Sequence, residues 1–174
     1  ADRYGLNLEY LSVGRNFNPE VGFLRRLDFD KASTSVRFSP RPRQARTIRK
    51  YYYEGNYSYI TTGTGRLESR AAGAAYRIEF QNSDRFNVGY DRTYELLETP
   101  FRIAPGVTVP VGGYSWQTTA VSYQLGTQRR INGTLSASTG SFYTGDSTSA
   151  SYRGRIAVAT HLSLEPQVSI NWVD

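Results

Sequence analysis

Few side chains in this sequence have the types and spacing that catalysis needs, and the clearest set is acidic. Asp91, Glu95 and Glu98 lie within eight residues of one another. Two carboxylates that flank a glycosidic bond can hydrolyse it, one as the acid and the other as nucleophile or base. Acids on and after a strand are more often the solvated charges of a lumen or rim. We favour that interpretation and keep glycan hydrolysis as an alternative.

The only histidine, His161, has a hydroxyl and a carboxyl close to it in the sequence, Ser163 and Glu165. A serine, a histidine and an acid form the triad of many hydrolases when they are aligned. A histidine in a predicted turn is more often a solvated surface residue, and we interpret His161 in that way. Cysteine is absent, which excludes a thiol nucleophile, a disulfide and a cysteine-ligated metal.

Two aspartates and two glycine strings are further candidates for ligand binding. Asp84 and Asp146 carry the oxygen ligands that calcium prefers, but single aspartates in turns usually stabilise the turn itself. The strings Gly63-Thr-Gly65 and Gly112-Gly113 lack the strand–helix context of a phosphate-binding loop. We therefore expect no catalytic residue, no cofactor and no bound metal, and we predict that the chain is not an enzyme.

Composition limits the class of protein without any motif. The 174 residues carry a net charge of +6, and 39% are hydrophobic and 14% aromatic, with a mean hydropathy of −0.52. No run of about 18 apolar residues exists, so a helical membrane span is excluded. The alternating strands of a transmembrane barrel average out as polar, so the low hydropathy leaves that class open.

The basic residues are mostly arginine, since only Lys31 and Lys50 are lysines. A basic, arginine-rich chain can favour nucleic acid or anionic lipid. The charges are scattered except for the run from Arg41 to Lys50. We interpret that run as a solvated turn, with contact to anionic headgroups as the alternative, and we expect no nucleic-acid partner.

Alternation of apolar and polar residues with period two recurs along almost the whole chain, whereas no convincing helical period is present. It predicts about nine strands, most of about 10 to 13 residues, which is the length that crosses a bilayer at a tilt. The strands are centred on residues 3–13, 31–38, 50–60, 72–80, 86–91, 119–125, 131–137, 152–158 and 168–172.

Connections of unequal length join these strands. The segments Arg15–Leu27 and Leu97–Gly112 are long, and most of the connections at the opposite strand ends are tight. Long loops on one side and short turns on the other are typical of outer-membrane barrels. We predict that residues 1–174 form one all-β domain, an antiparallel up-and-down transmembrane β-barrel or a fragment of one. Eight strands in a closed barrel is the competing count, and part of a larger barrel is another.

The side chains of the two strand faces distinguish lipid from a soluble core. Tyrosine hydroxyls near strand ends are wet at a headgroup boundary, whereas a core would have to satisfy them. Charged residues in mid-strand suit a polar lumen. The predicted aromatic girdle is Tyr4, Tyr10, Tyr51, Tyr59, Tyr76, Phe80, Tyr90 and Trp172. The predicted lumen charges are Glu9, Arg37, Glu54, Arg77, Glu79, Asp91, Arg153 and Arg155. A soluble sandwich with a charged outer surface is the alternative.

One long loop combines apolar, rigid and basic residues. We predict that it folds into the lumen as a constriction or plug, or docks a neighbouring domain; the alternative is a loop that packs on itself over the rim. The residues of this candidate loop site are Phe17, Asn18, Pro19, Glu20, Phe23, Arg25 and Arg26.

The same loop, Asn16-Phe-Asn-Pro-Glu-Val-Gly-Phe-Leu-Arg-Arg26, resembles a signature of a family of uncharacterised bacterial proteins. Leu162-Ser-Leu-Glu-Pro166 with Val168-Ser-Ile-Asn171 resembles a late strand of the same family, so the similarity extends over essentially the whole chain. These proteins have an N-terminal carbohydrate-binding-like domain and a C-terminal outer-membrane barrel. The resemblance implies that the N-terminal domain and the last barrel strands lie outside these 174 residues.

These observations predict a bacterial outer-membrane protein that is a pore or transport conduit, or a membrane anchor for a surface domain. The expected partners are outer-membrane lipid and lipopolysaccharide, and a surface or periplasmic domain of the same parent protein. Two alternatives from other classes stay open. One is a barrel-associated glycan-processing hydrolase, and the other is a soluble β-sandwich that binds carbohydrate.

Overall fold

The computed structural model describes residues 3–18, 20, 26–104, 106–142, 145–159 and 161–173, and within these ranges it contains twelve β-strands and no helix. No helix in the described ranges is long and apolar enough to span a membrane. The strands are β1 Tyr4–Val13, β2 Phe29–Phe38, β3 Ile48–Thr62, β4 Leu67–Phe80, β5 Arg85–Leu97, β6 Phe101–Ala104, β7 Val107–Val109, β8 Gly112–Leu125, β9 Ile131–Phe142, β10 Gly145–Ala159, β11 Leu162–Leu164 and β12 Gln167–Val173.

Ten of the strands form one antiparallel sheet in which neighbours along the chain are neighbours in space. β6 and β7 pair only with each other, as a small hairpin within the long connection between β5 and β8. Consecutive pairing confirms the predicted all-β, antiparallel, up-and-down arrangement. The hairpin was not predicted, because its strands of four and three residues are too short to display a period.

The far edge of the sheet holds two short strands in one position. β11 pairs with the end of β10, and β12 pairs with its beginning. Glu165 and Pro166 separate them; proline lacks the N–H that a continuous ladder would use, but the Pro166 carbonyl still accepts a hydrogen bond from Gly154 N at 3.1 Å. Ten strands therefore occupy nine positions, which accounts for the predicted count of about nine.

The sheet is open, so it does not match the closed barrel that was one of the predicted arrangements; a fragment of a larger barrel was another. β1 pairs with β2 alone, and β11 and β12 pair with β10 alone, among the residues that the structure describes. In an up-and-down sheet of nine positions, the first and the ninth strands run in the same direction. Antiparallel closure needs an even number of positions, so these strands have no antiparallel way to close on themselves.

The strand register sorts the side chains onto two faces of opposite character. One row of paired residues crosses all nine positions and is entirely apolar: Tyr4, Phe38, Tyr53, Tyr76, Val88, Val121, Ala137, Ala150 and Ile170. A row on the opposite face is mostly polar: Tyr52, Arg77, Asn87, Ser122, Ser136, Ser151 and Ser169. We refer to them as the apolar face and the polar face.

The sheet is a single layer, and little of it is buried. Val13, Phe29 and Val109 are the only buried hydrophobic side chains among the described residues. Large apolar side chains of the apolar face are exposed instead, for example Leu6 at 69% and Leu8 at 71%. No second sheet of comparable size covers either face in the described ranges, so these residues do not build a two-sheet sandwich.

The strand ends define two ends of the sheet. At the turn end, strands are joined by residues 39–47, 81–84 and 126–130; at the loop end, they are joined by residues 14–28, 63–66 and 98–111. The two longest connections both lie at the loop end.

Near the turn end, Gly133 of β9 faces Gly154 of β10. Gly133 has φ of 146°, and a Cβ there would lie 2.5 Å from Gly154 Cα, so the position accepts only glycine without movement.

Candidate functional site

The aromatic residues of the apolar face form a continuous ribbon near the turn end. Ring centroids lie 5.2 Å apart between Tyr4 and Phe38, 6.0 Å between Phe38 and Tyr53, and 5.1 Å between Tyr53 and Tyr76. The Arg3 guanidinium lies 5.6 Å from the Tyr4 ring centroid and 5.4 Å from that of Phe38. Four adjacent strands thus present neighbouring rings, two pairs stacked and one tilted, with a cation at their edge. We call these four rings the aromatic ribbon.

All eight predicted girdle residues lie on the apolar face, but at different levels. Tyr4, Tyr51, Tyr76 and Phe80 lie towards the turn end, and Tyr10 and Tyr59 towards the loop end. Tyr90 and Trp172 share the row of Leu6, between these levels. Phe38 and Tyr53 were not included in the predicted girdle. The signal that could have added them is their period-two position, which puts them in register with Tyr4.

The eight predicted lumen charges lie on the polar face, and three of them join a connected cluster. Arg77 Nη2 lies 3.5 Å from Glu54 Oε1, and the Arg77 guanidinium is 4.1 Å from the centroid of Tyr52. The Tyr52 hydroxyl donates to Glu79 at 3.3 Å, and Arg49 pairs with Glu79 at 3.4 Å. Charges of opposite sign are therefore linked across β3 and β4. Sequence analysis did not select Tyr52 or Arg49.

The other five lumen charges are not drawn into that cluster. Glu9 accepts a hydrogen bond from the Ser33 hydroxyl at 3.4 Å. The remaining four make no ion pair with any residue that the structure describes, although they keep the same face as the cluster: Arg37, Asp91, Arg153 and Arg155. The polar face thus combines a paired patch with unpaired charges. Its role as the lining of a lumen stays a prediction.

The sequence predicted Asp84 as a turn residue, but it did not reveal that Asp84 also joins a second turn. Its side chain is 1% exposed, although it lies in the turn between β4 and β5. It accepts hydrogen bonds from Gly126 N at 2.7 Å, the Tyr123 hydroxyl at 2.8 Å, Arg129 Nη2 at 2.7 Å and Asn82 Nδ2 at 3.0 Å. One carboxylate thus ties two neighbouring turns together. Protein donors already occupy the oxygens that a calcium ion would use.

The electrostatics of this junction favour the ionised carboxylate. Burial alone raises the pKa of Asp84, but the hydrogen bonds from Gly126 and Tyr123 and the charge of Arg129 lower it by more. The pKa of Asp84 therefore lies below its ordinary value. A buried carboxylate with several donors and a guanidinium partner is the arrangement in which the charged form is stabilised.

The residues considered for catalysis are not assembled into a site. His161 makes no hydrogen bond with Ser163 or Glu165 in the described part of the chain. Asp91 and Glu95 share the polar face of β5, four residues apart, which is about 13 Å along a strand and beyond the carboxylate spacing of glycosidases. Glu98 forms an ion pair with Arg66. No cluster of three metal-ligating side chains occurs within the described ranges.

The candidate loop site is described only in part. Pro19, Phe23 and Arg25 lie outside the described residues, so the loop's entry into a lumen stays a prediction. Phe17 is 52% exposed, and Asn18 and Glu20 are exposed as well. Arg26 Nη1 lies 3.1 Å from Glu68 Oε1. The end of the loop is therefore held to β4 by an ion pair.

Comparisons with family models, with curated proteins and with solved structures found no match. The family resemblance carried by residues 16–26 and 162–171 accordingly stays a prediction.

Proposed function

We propose that the chain forms the wall of a bacterial outer-membrane β-barrel that serves as a pore or transport conduit, or as the membrane anchor of a surface domain. The observation that carries the proposal is the uncovered apolar face, in which one row of apolar residues crosses every position from β1 to β12. A face of this size needs an apolar partner, because large exposed apolar patches are rare on soluble monomers. Lipid is a partner that covers the whole face at once.

The distribution of aromatic side chains favours lipid over a protein partner. Six of the eight predicted girdle residues lie towards the two ends of the face: Tyr4, Tyr51, Tyr76 and Phe80 at one end, and Tyr10 and Tyr59 at the other. Tyr90 and Trp172 lie between these levels. Tyrosine and tryptophan concentrate at the two membrane–water boundaries, because the ring is apolar and the hydroxyl or N–H is wet. A protein interface would instead concentrate its large rings near the centre of the contact.

The height of the apolar face fits the bilayer core. From the row of Ile78 to that of Tyr10 the strands advance eight residues, which is about 27 Å at 3.4 Å per residue. A strand tilt of 35–45° reduces this to roughly 20 Å, against an apolar band of about 25 Å in outer-membrane barrels. Eight of the strands contain 10 to 15 residues, enough to cross at that tilt.

The polar face supports a conduit. Its charges and its rows of serine and threonine would be costly in lipid but are solvated in an aqueous lumen. The Glu54–Arg77 pair and the unpaired Arg37, Asp91 and Arg153 would then set ion or solute selectivity through charge. The alternative function as a membrane anchor depends on the family resemblance, which implies a surface or periplasmic domain in the same protein. We assign no catalytic role to Asp91 and Glu95, because they lie about 13 Å apart along β5, beyond the carboxylate spacing of glycosidases.

Detergent dependence tests the proposal. The purified chain is refolded with and without micelles, and is then examined by circular dichroism and on a denaturing gel, unheated and boiled. We expect β structure and a heat-modifiable band only with micelles. A soluble, monodisperse β protein without detergent would overturn the proposal and make carbohydrate binding the next assay.

Two neighbouring residues of β2 provide a matched test of the face assignment. Val36 lies on the apolar face and Ser35 on the polar face, and both are exposed. We expect Val36→Arg to impair insertion, because an arginine on the lipid side costs about 2 to 4 kcal/mol at mid-bilayer. Ser35→Arg should insert normally, and Ile78→Arg should behave like Val36→Arg. Equal insertion of the Val36 and Ser35 variants would contradict the assignment.

A further inference from the structure

Two arginines interrupt the apolar face near the loop end. In the strand register Arg70 of β4 pairs with Tyr94 of β5, and Arg92 pairs with Ala72. Residues 70, 72, 92 and 94 all follow the alternation of the apolar face, so the two arginines are diagonal neighbours on adjacent strands. Diagonal neighbours lie about 7–8 Å apart at the backbone, which is within mutual reach of two long side chains.

The arginines share one depression of the surface with aromatic residues. It has a volume of about 260 Å³ and is lined by Tyr57, Arg70, Ala72, Arg92, Thr93 and Tyr94. No carboxylate lines it. Both guanidinium groups are exposed, and neither makes an ion pair or a side-chain hydrogen bond with any residue in the described ranges.

The nearby acids are already engaged. Glu68, two residues before Arg70 in β4, forms the ion pair with Arg26. Asp30 accepts a hydrogen bond from Tyr10 at 3.0 Å. Two positive charges in adjacent positions of a sheet repel each other. An anion bound between them would attract both arginines and offset this repulsion. Arginine is well suited to that task, because its planar fork binds phosphate oxygens in pairs.

The level of the depression indicates where such an anion would come from. Arg70 lies in the row of Tyr10 and Tyr59, and Arg92 in the row of Leu8 and Tyr57. This is the loop-end boundary of the apolar face, where headgroups begin under the proposed function. Longer loops face outwards in outer-membrane barrels, so the headgroups at this level belong to the outer leaflet.

We propose that Arg70 and Arg92 bind a phosphate of the glycolipid of the outer leaflet, the phosphorylated lipid A of lipopolysaccharide. Tyr57 and Tyr94 flank the headgroup, with their rings against its apolar part and their hydroxyls towards water. The inference rests on the proposed function, because it needs the apolar face to lie in an outer membrane. It adds a defined lipid site to that proposal.

The test uses the full chain refolded in micelles and three lipid probes: diphosphorylated lipid A, dephosphorylated lipid A and phosphatidylglycerol. Binding is measured by native mass spectrometry at increasing lipid concentration. The test variant is the double substitution Arg70→Gln and Arg92→Gln. The matched control is Arg153→Gln with Arg155→Gln, which removes the same charge two residues apart on the polar face. Heat-modifiability of each protein is recorded first.

We expect diphosphorylated lipid A to bind the wild type and the control equally, and the test variant about tenfold or more weakly, because charge-assisted contacts to phosphate are lost. Dephosphorylated lipid A should bind all three proteins alike. Unchanged lipid A binding by a heat-modifiable test variant would overturn the site alone. Equal wild-type binding of phosphatidylglycerol, lost in the test variant, would overturn the choice of glycolipid. A wild type that folds without micelles would overturn the proposed function itself.

Discussion

The two ends of the sheet are stabilised in different ways. At the turn end, the buried carboxylate of Asp84 joins two turns, and the aromatic ribbon runs unbroken over four strands. At the loop end, the Arg66–Glu98 pair is exposed, with 58% of each side chain accessible, and the Arg26–Glu68 pair is partly exposed. The turn end, which we call the frame, is thus held by a buried junction and by neighbouring rings, and the loop end, which we call the rim, is held by ion pairs that solvent reaches.

The charged residues are also distributed differently between the two ends of the sheet. The connection 39–47 holds three arginines and no acid, and the connection 126–130 ends in two more arginines. The loop end instead mixes both signs, with Arg15 near Asp28 at 3.9 Å and Arg26 paired with Glu68. The mixed loop end leaves the Arg70 and Arg92 pair as its distinct cationic feature on the apolar face.

The largest effect should come from removing the carboxylate at the turn end. Asp84→Ala leaves Arg129, the Tyr123 hydroxyl and the Gly126 N–H without their shared acceptor, and should lower the free energy of unfolding by about 3 kcal/mol. Urea titration of the micelle-refolded protein measures it through Trp fluorescence. Asp146→Ala, at an exposed aspartate near the loop-end start of β10, is the control and should change stability by less than about 0.5 kcal/mol. Similar losses in both would remove the distinction between the ends.

Low pH should weaken the turn end in a defined window. Because the pKa of Asp84 is lowered in the folded state, its stabilising contribution is complete above the carboxyl's ordinary pKa. It is lost as the pH falls through the lowered, folded-state pKa. The difference in unfolding free energy between wild type and Asp84→Asn should therefore be constant near neutral pH and shrink in acid. A difference that grows on acidification would contradict the assigned direction.

Removal of a ring should cost more in the aromatic ribbon than at the loop end. Phe38 stacks with both Tyr4 and Tyr53, whereas Tyr59 stacks only with Tyr57, at 6.5 Å, among the described rings. Since each aromatic pair contributes about 0.5–1.5 kcal/mol beyond area burial, Phe38→Ala should destabilise roughly twice as much as Tyr59→Ala. The same urea titration compares them, and a larger loss for Tyr59→Ala would reverse the comparison.

The smallest effect is expected at the exposed Arg66–Glu98 pair. Glu98→Gln should lower the unfolding free energy by less than about 0.5 kcal/mol, because exposed pairs are well solvated. Any loss should disappear at high salt, where surface charges are screened. Parallel titrations at low and high salt provide the measurement. A loss comparable to that of Asp84→Ala would show that the rim is as firmly held as the frame.

The sequence predicted the repeated strands because alternation is a local property. Residues two apart, such as Leu6 and Leu8, reveal their common face without knowledge of any partner strand. The same rule placed the predicted girdle and lumen charges on opposite faces. Closure of the sheet could not be read in this way, because it depends on pairing between strands more than 150 residues apart in the chain.

The Asp84 junction shows why the other contacts of the candidate site could not be predicted from the sequence. Its partner Gly126 lies 42 residues away in sequence, and a single aspartate in a turn has an adequate local explanation. The depression at Arg70 and Arg92 likewise depends on the register of β4 with β5, since each arginine alone resembles any other strand charge. Long-range contacts of this kind become visible only when the register is known.

The facing glycines at 133 and 154 have a mechanical consequence. With no side chains between them, the two backbones approach closely, and the sheet can bend sharply along that line while the aromatic ribbon stiffens β1 to β4. Bending of the sheet is then easiest where β9 pairs with β10. A change in the curvature of the sheet would therefore leave the aromatic ribbon of β1 to β4 little altered.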